Sequence, residues 1–276
     1  MKITIAYRGV LHAGWAIGES LAQAFIRLGH EVYLHANHYR TEYIIGSSPD
    51  NVDLLIYLEC NDDEPQYYEL SSLKCPKVYW EFDSAMHPDF MRSMQNVFEF
   101  DYVFCANKKY AKEYDAYYLP YAVDVDKFKP YPVQLKRGTA LVGTAFKKRI
   151  EFCEQVGIPI ITNTRFESYS LAVRRLKSHL HYYSSGGEDL LVCRIFETLG
   201  SATLLLAKRS DVLLDLFEEN KHMLCYDSVD ECVEKIEWIN GSNEWRAIAQ
   251  SGYEEVIAKH TYLHRAKEIL SAVGVK

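Results

Sequence analysis

No run of apolar residues in this 276-residue chain approaches the ~18 that a helix needs to cross a bilayer, so no membrane span is expected. There is no C-x-x-C, and the seven cysteines are odd in number and scattered without a paired histidine spacing. That pattern points away from disulfides and zinc and toward buried reduced thiols in a cytoplasmic protein. An excess of basic charge is also missing. The net charge of −7 makes the chain as a whole a poor binder of nucleic acid or anionic membrane. The loop after the first strand lacks G-x-G-x-x-G, which excludes the dinucleotide-binding fingerprint. No internal repeat and no low-complexity tract interrupts the sequence.

What is present is an alternation of strand and helix patterns. Lys2–Tyr7 reads as a strand rather than a signal peptide. Trp15–Leu28 reads as a helix stopped by Gly29. Glu31–His35, Val52–Leu58, Lys77–Glu81 and Tyr102–Cys105 read as further strands, with a short helix near Lys108–Tyr114. This is the rhythm of a parallel sheet covered on both faces. Leu119–Lys136, with Pro120, Pro130 and Pro132, breaks the rhythm and reads as a linker. Beyond it, strands are expected at Thr139–Val142, Pro159–Ile161, Leu180–Tyr183, Ala202–Leu206 and Met223–Tyr226. Helices are expected at Lys147–Val156, Ser168–Lys177 and Asp211–Phe217, with three more from Val229 onward. The apolar share of 48% is that of a globular protein, and the length suits two α/β domains of about 130 residues each. The expected division is residues 1–118, a linker 119–137, a second domain 138–259 and a last helix 260–276.

Arg194–Leu206 reads as an amphipathic helix, a stop at Gly200 and a short buried strand. Arg194 and Glu197 fall at i and i+3 and share one helix face. Asp189 stands eight positions before Glu197, just after Gly186-Gly187. A Gly-Gly turn feeding a helix leaves backbone N–H groups aimed at an anion. A carboxylate further along can accept both hydroxyls of a ribose. Gly143, followed by Thr144, Lys147, Lys148 and Arg149, also ends a strand and opens a helix. Cations in a first helical turn oppose the helix dipole, and a bound phosphate would offset that. Both motifs fall beyond the carboxyl ends of strands, where open parallel sheets bind ligands.

Other candidates have two readings each. The loop carrying Gly9, His12, Gly14 and Trp15 is either a plain turn or a ligand loop in which His12 serves as base. In Tyr79–His87, Trp80, Asp83 and His87 suit a sugar acceptor by stacking and hydrogen bonding, while Asp83 or Ser84 equally suits a helix N-cap. Asp124-Val125-Asp126 has the form of a metal-holding D-x-D, but in a proline-rich segment a structural role is expected. Asn61–Glu64 reads as a solvated turn rather than a cation site.

Several runs carry a resemblance. They are Arg194-Ile195-Phe196-Glu197-Thr198-Leu199-Gly200, Leu216-Phe217-Glu218, Tyr226-Asp227, Ala249-x-x-Gly252-Tyr253-Glu254 and His260–Ala266. Pro120-x-x-Val123-Asp124-x-x-x-Phe128-x-Pro130 and Val142-Gly143 with Arg149 fit with them. Together they resemble the C-terminal part of group 1 glycosyltransferases of the CgeB-like branch. The resemblance implies a GT-B fold: two Rossmann-like domains facing across a cleft, with a nucleotide-sugar donor on the second and no essential metal. It also implies that the last helix crosses back onto the N-terminal domain. In that family two acids separated by seven residues face the donor, the second at its ribose. Asp189 and Glu197 match the spacing, with Asp189 standing where retaining members usually have Glu.

The expected activity is therefore transfer of a hexose or pentose from a nucleotide-diphosphate sugar to an acceptor hydroxyl, metal-independent and retaining. His12, Asp83 and Asp189 are the candidate catalytic groups. Gly143, Lys147, Arg149, Gly186, Gly187, Arg194 and Glu197 are the candidate donor-binding residues, and Trp15, Trp80 and His87 the acceptor-binding ones. The nucleotide-sugar is a co-substrate, and no cofactor is expected. The acceptor stays open among a glycan, a small molecule and a modified DNA base, which would need a basic groove near Arg92, Lys108, Lys109 and Lys112. A non-catalytic nucleotide-sugar-binding module is the remaining alternative.

Overall fold

Apolar runs such as Leu54-Leu55-Ile56-Tyr57-Leu58, buried along their whole length, are strands that neither face of a sheet can leave in water. The computed structural model describes residues 1–8, 17–37, 51–58, 73–82, 99–165, 167–183 and 191–275. The chain divides into two units, residues 1–120 with 262–276, and residues 121–261. Among the described residues no helix is long and apolar enough to cross a membrane.

The first unit contains β1 (Lys2–Arg8), α1 (Ile17–Arg27), β2 (Glu31–Asn37), β3 (Leu54–Leu58), β4 (Lys77–Glu81), β5 (Tyr102–Cys105), α2 (Lys108–Glu113) and β6 (Tyr117–Tyr118). The strands run parallel in the order β2-β1-β3-β4-β5-β6. β1 is internal, with Ile5 beside Leu34 on one side and Ile56 on the other.

The second unit contains a 3-10 turn at Val133–Leu135, β7 (Arg137–Val142), α3 (Lys147–Gln155), β8 (Ile160–Ile161), α4 (Glu167–Arg174) and β9 (Leu176–His181). It continues with α5 (Cys193–Gly200), β10 (Leu204–Lys208), α6 (Asp211–Leu214), β11 (Leu224–Tyr226), α7 (Val229–Gly241) and α8 (Trp245–Lys259). Its parallel sheet has the order β11-β10-β9-β7-β8, and Leu141, Leu180, Leu204, Leu206, Tyr226 and Trp245 lie in its core. The final helix, α9 (Tyr262–Ala272), belongs to the first unit and packs on α1.

Both sheets share one winding: second strand, first, third, fourth, fifth. The chain changes direction between β1 and β3 in one sheet and between β7 and β9 in the other. The carboxyl end of such a switch point is where an open parallel sheet leaves room for a ligand. In the first sheet the residues that follow β1 and β3 lie outside those described. In the second, the end of β7 and the start of α5 are both in view.

Three features depart from the sequence pattern. Residues 119–137, expected as a linker, contain the boundary between the units and are packed against both sides of it: Leu119 is buried in the first unit, and Tyr121, Ala122, Val123 and Phe128 in the second. The prolines remove helical periodicity without exposing the apolar residues between them. Asp124 accepts the backbone N–H groups of Asp126 and Lys127 at 3.0 and 3.3 Å, a turn-forming role. Next, α4 stops at Arg174 and β9 starts at Leu176, four residues before the expected strand. Ser178 and His179 hide that strand because they are polar, yet both are buried and bonded, Ser178 to the Thr139 hydroxyl at 2.6 Å. Finally, Gly200 is helical and does not end α5 by its own dihedrals; Ala202 carries the positive φ of +47°. A side chain at Gly200 would place Cβ 2.5 Å from Val123 Cγ2, so the glycine admits Val123.

On α9, Arg265 is 2% exposed, with Nε donating to the Pro120 carbonyl at 2.7 Å and Nη1 to Glu268 at 2.8 Å. Arg265→Met keeps the aliphatic stem and leaves that carbonyl unpaired. It is expected to cost the first unit about 2 kcal/mol, the scale of a hydrogen bond to a charged group. Urea denaturation should show an earlier transition for the first unit and an unchanged one for the second.

Candidate functional site

At the end of β7 the chain turns at Gly143 with φ +151°. A Cβ there would lie 3.4 Å from Arg194 Nη2 and 3.8 Å from Arg149 Nη1. The backbone thus passes directly beside two guanidinium groups. Arg149 comes from the first turn of α3 and Arg194 from the first turn of α5. Arg149 is 8% exposed; its Nη1 donates to the Thr144 carbonyl at 3.1 Å, and its Cζ lies 5.2 Å from the Phe146 ring centroid. Its buried Nε has no hydrogen-bond partner. Burial, and then the charge of Arg194, lower Arg149 to about 10, which leaves it protonated at neutral pH. Arg194 is pulled down by burial, but Tyr169, Cys193 and Glu197 outweigh this and raise it.

The two helices that supply these arginines begin without side-chain caps. Phe146 and Val192 occupy the N-cap positions of α3 and α5, and neither has a polar side-chain atom to offer the free N–H groups. Elsewhere in the same unit, α6 and α7 start at Ser210 and Ser228, whose hydroxyls accept from the Leu213 and Glu231 N–H groups. α8 also starts without a side-chain cap, at Glu244, but the two uncapped helices that carry the arginines are the ones that follow β7 and β9, the strands of the switch point. Neither has an acidic residue in its first turn, where a carboxylate would offset the positive end of the helix dipole.

One turn beyond Arg194, Glu197 is 3% exposed and accepts the Tyr169 hydroxyl of α4 on Oε2 at 3.0 Å. Burial pushes its carboxyl up to about 7, against the Tyr169 hydrogen bond and the Arg194 charge, which favour ionisation. The Tyr169 hydroxyl is itself held well above its ordinary range by burial and by Glu197, so it stays a donor.

Beneath the arginines lie residues that no motif announced. His179 of β9 is fully buried and bonded at both ring nitrogens. The Val142 N–H donates to Nε2 at 3.1 Å, and Nδ1 lies 2.7 Å from Thr198 Oγ1. Thr198 donates its own proton to the Arg194 carbonyl at 2.7 Å, so Nδ1 carries the hydrogen that Thr198 accepts. Burial, reinforced by Arg194, pushes His179 down to about 3. His181, two residues on and on the same face, has no partner at either ring nitrogen; its ring stands edge-on to Tyr183 at 4.4 Å. Burial, with Arg194 and His179, keeps it neutral. The only sequence trace of these residues is the period-two spacing of two histidines in one strand.

Of the predicted donor residues, Gly143, Arg149, Arg194 and Glu197 come together. Lys147 does not join them: its side chain is exposed and pairs with Glu151 at 3.8 Å. Trp80 is a correction. It is wholly buried in the first unit, its indole N–H donates to the Leu119 carbonyl at 3.0 Å, and its ring packs on Phe82 at 4.8 Å. It is a core residue with no face for an acceptor. His12, Trp15, Asp83, His87, Gly186, Gly187 and Asp189 lie outside the described residues. Among the described residues no cluster of three side chains is arranged to hold a metal ion. The assembled groups offer two cations and two helix N-termini beside a carboxylate, the complement of an anion joined to a diol.

The family model described as glycosyl transferase-like matches residues 134–271, half of the chain, and covers all four of these residues. No curated protein matches the sequence. Similar solved structures include HepE of Anabaena in complex with UDP-glucose, at 12% identity and TM-score 0.67 over 99% of this chain and 100% of that one. An alpha-glucosyltransferase in complex with UDP and a 13-mer DNA containing an HMU base is 12% identical, with TM-score 0.73 over 99% of each chain. Sucrose-phosphate synthase of Thermosynechococcus elongatus is 10% identical, with TM-score 0.67 over 99% and 98%. At these identities the likeness is one of fold, and that fold is GT-B, with two Rossmann-like units. The chain belongs to the glycosyl transferase-like family and is a GT-B glycosyltransferase.

Proposed function

We propose that this glycosyltransferase takes its sugar from a uridine-diphosphate sugar and holds that donor at the carboxyl end of β7. The meeting of Arg149 and Arg194 at Gly143 carries the reading: two cations and two uncapped helix starts converge where a diphosphate needs them. Uridine is chosen because HepE and the alpha-glucosyltransferase were solved with UDP or UDP-glucose. In this reading Glu197 accepts the ribose hydroxyls, and Gly186, Gly187 and Asp189 face the phosphate and sugar. Lys147 leaves Glu151 to join the diphosphate. His12, Asp83 and Asp189 are the proposed catalytic groups, with Trp15 and His87 on the acceptor side. The acceptor hydroxyl gives its proton to His12, the proposed base, and its oxygen bonds to the anomeric carbon as the bond from that carbon to the diphosphate breaks. The electron pair leaves with the diphosphate, where preorganised cations stabilise it. Retention of stereochemistry and the CgeB-like branch rest on the sequence resemblance, and a cytoplasmic location on the cysteine pattern.

Two guanidinium groups fill the part that a metal ion plays elsewhere in sugar transfer. Turnover is therefore expected to be unchanged in excess EDTA. Complete loss, restored by manganese, would reject the metal-independent reading.

A buried carboxyl raised to about 7 gives a second test. The raised value means the folded protein holds this proton more tightly than the unfolded chain, so Glu197 favours folding at low pH, and that contribution fades as pH rises from the ordinary carboxylate range through about 7. Binding runs the other way, because the ionised carboxylate is the better acceptor of ribose hydroxyls. Uridine is the right probe, since a terminal phosphate titrates near the same pH. Its affinity is expected to rise about tenfold between pH 6 and 8, following the ionised fraction. Tyr169→Phe, which removes the hydrogen bond favouring ionisation, should move the midpoint upward, and Glu197→Gln should flatten the profile. Calorimetry that finds uridine affinity flat over this range in the unsubstituted protein would place the ribose elsewhere.

A modified base in DNA is the second reading of the acceptor, favoured by the likeness to the DNA-bound alpha-glucosyltransferase. α2 presents Lys108, Lys109 and Lys112 at the surface. The reading expects duplex binding that weakens steeply with salt; salt-independent or absent binding favours a glycan or small molecule.

A further inference from the structure

We propose that His179 is a positioning residue of the diphosphate site: its ring, acting through Thr198, ties the Gly143 turn to the Arg194 backbone in the first turn of α5, and so sets the spacing of Arg149 and Arg194. The inference rests on the donor assignment above and names a residue outside its contact set.

The ladder between β7 and β9 explains why a ring is needed. Their register runs from Arg137 beside Leu176 to Ala140 beside His179, and ends there. Two residues on, the Val142 N–H finds no β9 carbonyl and donates instead to the His179 ring at 3.1 Å. The strands part at this point, which is what opens a switch point. On its other side the Gly143 N–H is tied to the Ile161 carbonyl at 3.0 Å. The turn is therefore fixed to β8 by its own amide and to β9 by an imidazole.

The opposite ring nitrogen reaches α5. Nδ1–H donates to Thr198 at 2.7 Å, and Thr198 donates to the Arg194 carbonyl at 2.7 Å. One rigid ring thus links the residue before Gly143 to the backbone of Arg194, while the Arg194 side chain returns to Gly143 at the other end of the loop so formed. Only the Nδ1–H tautomer satisfies both bonds. A protonated ring would set a second N–H against the Val142 N–H and add a third cation beside Arg149 and Arg194. A linkage that must stay uncharged acts through geometry alone, so removing it alters where the arginines stand and not how many charges they carry.

Three substitutions in the full-length protein separate this from general packing. His179→Gln keeps one acceptor and one donor. His179→Leu keeps neither. Thr198→Val breaks only the link to α5. Dissociation constants for UDP and uridine would be measured by calorimetry, with circular dichroism melts to confirm folding. His179→Leu and Thr198→Val are expected to raise the UDP constant about tenfold or more while moving uridine by less than about twofold, and His179→Gln to recover most of the loss. A purely structural role would weaken both ligands alike. If His179→Leu does not fold, Thr198→Val decides. A folded Thr198→Val protein with an unchanged UDP-to-uridine ratio overturns the inference alone. An unsubstituted protein that binds no UDP rejects the donor assignment and this inference together.

Discussion

Two guanidinium groups of like charge converge on one glycine, and the elements around the switch point hold them there. Arg149 is lowered by burial and by Arg194, yet at about 10 it remains charged. Among the described residues the carboxyl beside them is Glu197, itself raised to about 7 and so only partly ionised near neutral pH. It therefore compensates the two arginines incompletely, in a place where water screens charge poorly. Two uncapped helix starts add partial positive charge of the same sign. An anion with two or more charges satisfies all of these groups at once. A neutral ligand satisfies none.

Holding such a site requires that α5 be fixed at both ends. At its start, Thr198 and His179 tie the Arg194 backbone to β7. At its end, Ser201 donates to the Glu197 carbonyl at 2.8 Å, and Gly200 leaves room for Val123. Val123 is in turn held by its N–H to the His260 carbonyl at 2.9 Å and by its bridge to Thr261. The chain thus enters and leaves the second unit against the helix that carries Arg194 and Glu197. From the side, Tyr169 of α4 fixes the Glu197 carboxylate. These restraints hold the α5 backbone on both sides, and Tyr169 holds one of the two side chains it presents.

Much of this was legible as pattern. Parallel strands buried on both faces read as apolar runs, so β1, β3, β4 and β10 were plain. The Arg194–Glu197 helix and the Gly143–Arg149 turn declared themselves by residue type at fixed spacing. β9 was misplaced because burial there is polar: Ser178, His179 and His181 look like surface residues until Thr139 and Thr198 are seen beside the first two. Trp80 looked like a stacking platform because a sequence does not say which way an aromatic at a strand end points, and the Leu119 carbonyl drew it into the core. Lys147, two residues before Arg149, points more than half a circle away around the helix; it pairs with Glu151, and its proposed diphosphate contact needs that pair to open. Tyr169 has no sequence signal and His179 only its period-two spacing from His181, since their roles exist through partners about thirty and twenty residues away.

A crystal structure of the protein soaked with UDP would show where the donor sits. Diphosphate density is expected at Gly143, with phosphate oxygens about 2.8 Å from the guanidinium nitrogens of Arg149 and Arg194, and the ribose hydroxyls on Glu197. Density for UDP at any other place in the chain, with Arg149 and Arg194 left untouched, would contradict that placement.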